Sequence, residues 1–240
     1  MREITQIRKL SLWVFIVPFL SINLCLLISV NFHLLEETIF AVDQIGRSDF
    51  TFPYFDGSLS ISRASRTFPQ YLIFKPAMIL TSVILILYWS KTNNLLKSLL
   101  KIDQNFLFRI CGIMSAIFLS IHSIFLGIEF DLKTIEFLKR FFLLGFILSE
   151  IAAQALLVFK LIKYKDKITD YFNPVVLKLK LFLITFLIII AIIAIPFLNN
   201  ENYTHLKHGL EWNYFIGIIF FYFLTFLYWK ENLTQRFGSN

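Results

Sequence analysis

Six long apolar segments constrain this chain more than any other feature of its sequence. They lie near residues 11–32, 71–89, 107–128, 138–160, 178–198 and 212–229. A helix needs about 20 apolar residues to cross the roughly 30 Å of hydrocarbon in a bilayer, and each segment is close to that length. The first is too long for a typical signal-peptide core and is interpreted as a retained helix. The sequence therefore predicts an all-α membrane protein, a bundle of six transmembrane helices.

The composition excludes an ordinary soluble domain. Of the 240 residues, 57% are hydrophobic and 16% are charged, whereas soluble domains carry about a quarter charged residues. The net charge of +7 could indicate a nucleic-acid partner, but the bases are scattered rather than clustered with aromatic side chains. We expect no nucleic acid and no cofactor, with membrane lipids as the partners; protein partners and the membrane, plasma or internal, stay open.

Lysine and arginine counts indicate the orientation, because cytoplasmic loops carry an excess of these residues. The amino terminus, the 90–109 and 160–180 loops and the tail hold 15 bases, against 8 on the opposite side. Both termini are therefore predicted to be cytoplasmic. The longest loop, 33–70, is too short for a stable core of its own. It is interpreted as a cap on the outer face of a single domain, residues 1–240.

Three bases stand where the orientation rule disfavours them, at the outer end of the second segment. They are Arg63, Arg66 and Lys75. One interpretation is a basic shelf for an anionic lipid headgroup, because the arginine fork binds phosphate oxygens in pairs. That site requires the bases to converge with Glu211 and Trp212 near one lateral opening. The alternative is that they pair with acids of the cap.

Glu150 lies near the middle of the fourth segment, with Gln154 one turn further along. A carboxylate at this depth is costly, so it should face the bundle interior and have a partner. The residue is either a proton-coupling or substrate-binding site, or a carboxyl group hydrogen-bonded between helices. The sequence leaves both interpretations open.

Histidines and acids are also predicted at the outer face. His122 is followed by Glu129 and Asp131, and His205 and His208 precede Glu211. Zinc takes three or four such ligands. A water activated by the metal would make the protein a lipid hydrolase. The spacing matches no zinc signature, so interfacial histidines without a metal are the favoured interpretation.

Three stretches resemble the DRAM/Frag/Sfk family, which includes the membrane module of Cwh-type cell-wall proteins and factors that remodel lipids on GPI anchors. The family signature I-S-D-x-G-x-Y-P-P-E-x-x-I-F is similar to ISRASRTFPQYLIF at 61–74. RICGIMSAIFLSIHSIF (109–125) and EWNYFIGIIFFYFLTFLYW (211–229) look like its third and last helices. The resemblance implies a lipid-associated protein with six spans. Arg63 and Gln70 replace family acids, which implies different substrate binding.

Three functions are compatible with these patterns. The favoured one is a lipid-handling or lipid-organising protein without its own catalysis, which needs only a groove with a basic mouth. The alternatives are a lipid-remodelling hydrolase or transferase at the outer headgroup level, and a small-solute or proton-coupled transporter that uses Glu150.

Overall fold

A computed structural model describes residues 2–102, 106–128, 133–197 and 201–230 of the chain. Its long elements are six helices, all long and apolar enough to cross a membrane. This confirms the predicted all-α class with six candidate spans. The helices are α1 (Arg2–Val30), α2 (Tyr71–Leu100), α3 (Leu107–Phe125), α4 (Lys133–Lys163), α5 (Pro174–Ala194) and α6 (Thr204–Tyr228).

Most of the helices extend beyond the apolar segments, because a helix can continue its backbone hydrogen bonds past the edge of the hydrocarbon layer. α5, for example, begins at Pro174 instead of 178, and the Asn173 side chain accepts a hydrogen bond from Val175 N–H at 3.0 Å. Proline in the first turn loses no helical hydrogen bond. α3 ends earlier than predicted, at Phe125. Gly127 follows with a φ of 77°, the left-handed backbone that often terminates helices.

The six helices form a closed ring. Each helix packs against the next one in the chain, and α6 returns to pack against α1. The connections after α2, α3, α4 and α5 are short, and helices joined in this way run antiparallel; the longer cap segment joins α1 to α2.

Two hydrogen bonds place both ends of the helical ring on one side. The Arg8 Nε donates to the Phe226 carbonyl at 3.1 Å, which joins the start of α1 to the end of α6. Lys230 N–H donates to the Tyr171 carbonyl at 2.9 Å, which adds the connection before α5. We call this side the terminal end and the opposite side, where residues 31–70 lie, the cap end.

The cap is an irregular chain with short helical turns, among them Pro53–Asp56 and Ile61–Ser65. It packs on the cap ends of α1, α2 and α6. One tight loop is built around Asp56, whose carboxylate accepts from the Phe52 and Ser58 N–H groups at 2.8 Å each. Burial opposes ionisation of this carboxyl, but its hydrogen bonds outweigh that effect and lower its pKa to about 2.

Candidate functional site

Glu150 is fully buried and accepts hydrogen bonds from three side chains. Ser115 of α3 donates to Oε2 at 2.5 Å, and Gln154 of α4 donates to Oε1 at 2.9 Å. Tyr222 of α6 donates to the same Oε1 through a short contact. Its partner Ser115 lies about 12 Å from the terminal end of α3, since a helix rises 1.5 Å per residue. The carboxyl group therefore joins three helices near the middle of the membrane.

Gln154 adds a direct link between α4 and α6. Its Nε2 also donates to the Ile218 carbonyl at 3.1 Å. The predicted pair of Glu150 and Gln154 is thus brought together, with partners on two other helices. These are the contacts expected of a carboxyl group hydrogen-bonded between helices.

Lys180 is a second buried polar residue, and the sequence did not reveal it as one. It was counted as a base of the 160–180 loop, whereas the structure places it inside α5 and fully buried. Its Nζ donates to Thr225 Oγ1 at 2.6 Å and lies 3.8 Å from the centre of the Phe221 ring. No acidic side chain contacts it within the described part of the chain. The only sign of this in the sequence was the spacing from Lys178. Two residues along a helix point to nearly opposite faces, so Lys178 and Lys180 could not both face solvent.

A cavity of about 440 Å³ opens at the cap end between α2, α3, α4 and α6. Its walls are mainly apolar and its rim carries charged side chains. The apolar wall includes Phe74, Met78, Leu119, Leu143, Phe146, Ile147, Phe215 and Ile218.

Among the described residues, the rim of this cavity carries bases and one acid: Arg66, His122, Lys139, Arg140 and Glu211. Arg140 and Glu211 lie about 35 Å and 26 Å from the terminal ends of their helices, which brackets the far edge of a hydrocarbon layer about 30 Å thick. The rim is therefore at headgroup level, while Ile218 reaches the middle of the membrane. Glu211 also faces the N–H groups of Ile61 and Ser62 in the cap.

The predicted basic shelf is divided. Only Arg66 and Glu211 of its members line this cavity. Lys75 lies in a shallower cavity of about 600 Å³ on the other side of Arg66, and its Nζ donates to the Ile124 carbonyl at 3.2 Å. Arg63 points outward and donates to the Ile45 carbonyl at 3.3 Å. Neither Arg63 nor Lys75 forms an ion pair with a described cap acid.

Trp212 does not lie at a lateral opening, where the headgroup hypothesis placed it. It is fully buried, and its Nε1 donates to the Leu59 carbonyl at 2.8 Å. The Tyr54 ring packs edge-on against it with centroids 5.0 Å apart. Trp212 therefore holds the cap on α6. The sequence alone could not predict this role, because it does not show where the cap lies.

The three histidines of the metal hypothesis do not form a ligand group in the described part of the chain, where no set of three His, Cys, Asp or Glu side chains could hold a metal ion. His122 Nδ1 is 3.4 Å from the Lys139 carbonyl, and His208 Nδ1 is 3.0 Å from the Gly57 carbonyl. His205 is exposed. Glu129 and Asp131 lie outside the described residues.

Neither a protein-family model, nor a curated protein, nor a solved structure matches this chain. Function is therefore inferred from the geometry of the cavity and of the buried polar residues.

Removing the Glu150 carboxyl should destabilise the bundle. In Glu150→Ala, three buried donors lose their acceptor, and each such loss costs about 1–3 kcal/mol. We expect the free energy of unfolding to fall by about 3 kcal/mol, and by less in Glu150→Gln, which keeps one acceptor oxygen. Denaturant unfolding in detergent measures this. Ser149→Ala, on the adjacent residue, is the control; an equal effect in both would contradict a structural role for Glu150.

Replacing Lys180 should leave the stability of the bundle unchanged or increase it, in contrast to replacing Glu150. Burying a lysine amine without an acidic partner is costly, and an apolar side chain of similar volume avoids that cost. We expect Lys180→Met to leave the thermal unfolding midpoint unchanged or raise it by a few degrees, whereas exposed Lys178→Met should not move it. A marked fall confined to Lys180→Met would show that the Thr225 and Phe221 contacts outweigh the cost of burial.

Proposed function

We propose that this chain is an integral membrane protein that binds an anionic lipid in the cap-end cavity and does so without catalysis of its own. The observation that carries the proposal is the combination in one cavity of an apolar wall with a basic rim at headgroup level. A volume of about 440 Å³ falls within the usual range of ligand pockets. The resemblance of three stretches to the DRAM/Frag/Sfk family is consistent with this proposal.

The rim supplies the chemistry for an anionic headgroup. Arg66 and Arg140 offer planar guanidinium groups, which bind phosphate oxygens in pairs. The Arg66 side chain forms no hydrogen bond or ion pair with the described residues, so its donors are free for a ligand. Lys139 donates to the Ile128 carbonyl and adds positive charge beside the site. Among the described residues these bases outnumber the single acid, Glu211, which favours an anion over a zwitterion.

The apolar wall suits an acyl chain, and the arrangement of α5 leaves a way in from the membrane. α5 contributes no side chain to the lining of this cavity. Over residues 188–197 its side chains and those of the turn after it are exposed or half-buried, so the cap half of α5 does not pack into the bundle. We infer that the cap half of the gap between α4 and α6 faces lipid, which would allow a chain to enter sideways.

A lipid hydrolase or transferase is the second candidate, because His122 and Glu211 line the same cavity as the basic rim. A histidine and a carboxylate beside a headgroup are suited to general acid–base work. A transporter that uses Glu150 has less support. It would need the carboxylate to meet an aqueous path, whereas three donors surround it.

Neutralising the two rim arginines should weaken lipid binding. In Arg66→Gln/Arg140→Gln we expect affinity for phosphatidylglycerol to fall at least about tenfold, because a charge-assisted hydrogen bond is worth about 1.5–3 kcal/mol and 1.4 kcal/mol is tenfold. Native mass spectrometry of protein titrated with phosphatidylglycerol or phosphatidylcholine measures this.

The control variant, Arg63→Gln/Lys178→Gln, removes the same charge away from the cavity and should retain the lipid. Equal loss in both variants would mean that the effect is only one of net charge, and would contradict the site. Release of a fatty acid or headgroup by the wild-type protein, abolished in His122→Ala, would favour the enzyme.

The excess of bases on one side supports a cytoplasmic location for both termini. We expect single cysteines replacing Glu3 and Asp170 to be protected from an impermeant maleimide in intact cells, and cysteines replacing Glu37 and Tyr203 to react. Reaction at Asp170 with protection at Glu37 would reverse the orientation. Different results at Glu3 and Asp170 would contradict the placement of both at the terminal end.

A further inference from the structure

One segment of the cap, residues 50–57, exposes an unusual amount of aromatic surface. Its sequence is FTFPYFDG. Phe50 and Phe55 are 89% and 87% exposed, and Phe52 is 51% exposed. Phe52 and Phe55 stack on each other with ring centroids 5.3 Å apart. Soluble surfaces rarely carry contiguous exposed patches of this kind, which instead mark contact with a partner or a membrane.

The position of this segment shows what surrounds it. The Tyr54 hydroxyl donates to Asn23 Oδ1 of α1 at 3.0 Å, and Asn213 Nδ2 of α6 donates to the Tyr54 carbonyl at 2.7 Å. Asn213 lies about 22 Å from the terminal end of α6, and Asn23 lies about 22 Å along α1 from Arg8. The hydrocarbon layer is about 30 Å thick. Both helices therefore place Tyr54 several ångströms inside that layer.

The segment descends beside the bundle at the contact between α1 and α6, and it is held there closely. Gly57 has a φ of 59°, and a Cβ at this position would lie 1.8 Å from the His205 carbonyl oxygen. Only glycine fits that approach. Further along the same two helices lies a cluster of Phe15, Phe220 and Phe223, with centroid distances of 5.3–6.3 Å. The exposed rings of the segment thus continue the surface that the spanning helices present to lipid.

Several backbone groups of the segment are hydrogen-bonded, which irregular chain at membrane depth requires. The Phe52 and Pro53 carbonyls accept from Phe55 N–H at 2.9 Å and Gly57 N–H at 3.2 Å. The Tyr54 and Gly57 carbonyls accept from Asn213 and His208. Asp56, the only charged side chain in the segment, is saturated by its own loop. Its oxygens accept from Thr51 and Ser58 as well as from two backbone N–H groups.

We propose that residues 50–57 are a membrane anchor, inserted beside α1 and α6 so that Phe50, Phe52 and Phe55 lie among lipid chains at the headgroup boundary. The partner is the lipid leaflet itself rather than another protein. The anchor binds lipid non-specifically, through apolar area. It is separate from the proposed lipid cavity, whose inferred lateral opening lies between α4 and α6.

Spin-label accessibility tests the anchor at single residues. In a Cys111→Ala parent, where Cys25 stays buried, cysteines replace Phe55, Phe50, Glu37 or Leu20 one at a time and carry a nitroxide. The protein is reconstituted in phosphatidylcholine vesicles, and relaxation by oxygen, which concentrates in lipid, is compared with relaxation by a water-soluble nickel chelate. Leu20, exposed on α1, is the lipid reference, and Glu37 is the water reference. All four side chains are exposed, so folding should be unaffected.

We expect the ratio of oxygen to nickel accessibility at Phe55 and Phe50 to be several-fold higher than at Glu37 and to approach that at Leu20. Nickel accessibility equal to that at Glu37 would place the segment in water and overturn the proposal. Protection from both reagents would also overturn it, because a protein, either a partner or a second copy of this chain, would then cover the rings.

Discussion

The hydrogen bonds around Glu150 are the contact on which the rest of the arrangement depends. A carboxyl group in hydrocarbon must have its oxygens satisfied, and here the donors come from α3, α4 and α6. α4 and α6 otherwise approach each other little. The Glu150 contacts and the Gln154–Ile218 bond therefore hold these two helices together at mid-membrane. Between that level and the cap end, α4 and α6 are free to diverge, and the cap-end cavity occupies the space between them.

The terminal half of the bundle is packed in a different way. Tyr88 contacts Tyr222 edge-on with centroids 4.9 Å apart, and Trp89 packs against both tyrosines. Lys180 reaches into this aromatic layer and bonds to Thr225. Gly112 permits the close packing, because a Cβ there would lie 2.3 Å from the Trp89 ring. Large rings and close helix contacts fill the described part of this side, which favours the cap end for the proposed lipid site.

The sequence predicted those features that depend on one helix and missed those that depend on neighbours. Hydropathy located all six spans, and the four-residue spacing of Glu150 and Gln154 placed both on one face. Lys180 was missed because a lysine near a helix end usually extends to the interface, and only the packing of α6 shows that it cannot. Trp212 was assigned to lipid because its position on α6 is interfacial, whereas the cap covers it. Arg140 was overlooked because nothing in its local sequence distinguishes it.

The cap connects the two lipid contacts proposed for this protein. In the proposed arrangement one part of it, residues 50–57, faces lipid beside α1 and α6, and a later part brings Arg66 to the rim of the cavity. Between them, Leu59 is bonded to Trp212, and Glu211 faces the N–H groups of Ile61 and Ser62. Glu211 and Trp212 of α6 thus fix residues 59–62, which join the proposed anchor to the rim. In the proposed arrangement, lipid around the anchor and lipid in the cavity therefore contact the two ends of the same short stretch of backbone, and we expect the position of the rim to depend on how the cap sits in the membrane.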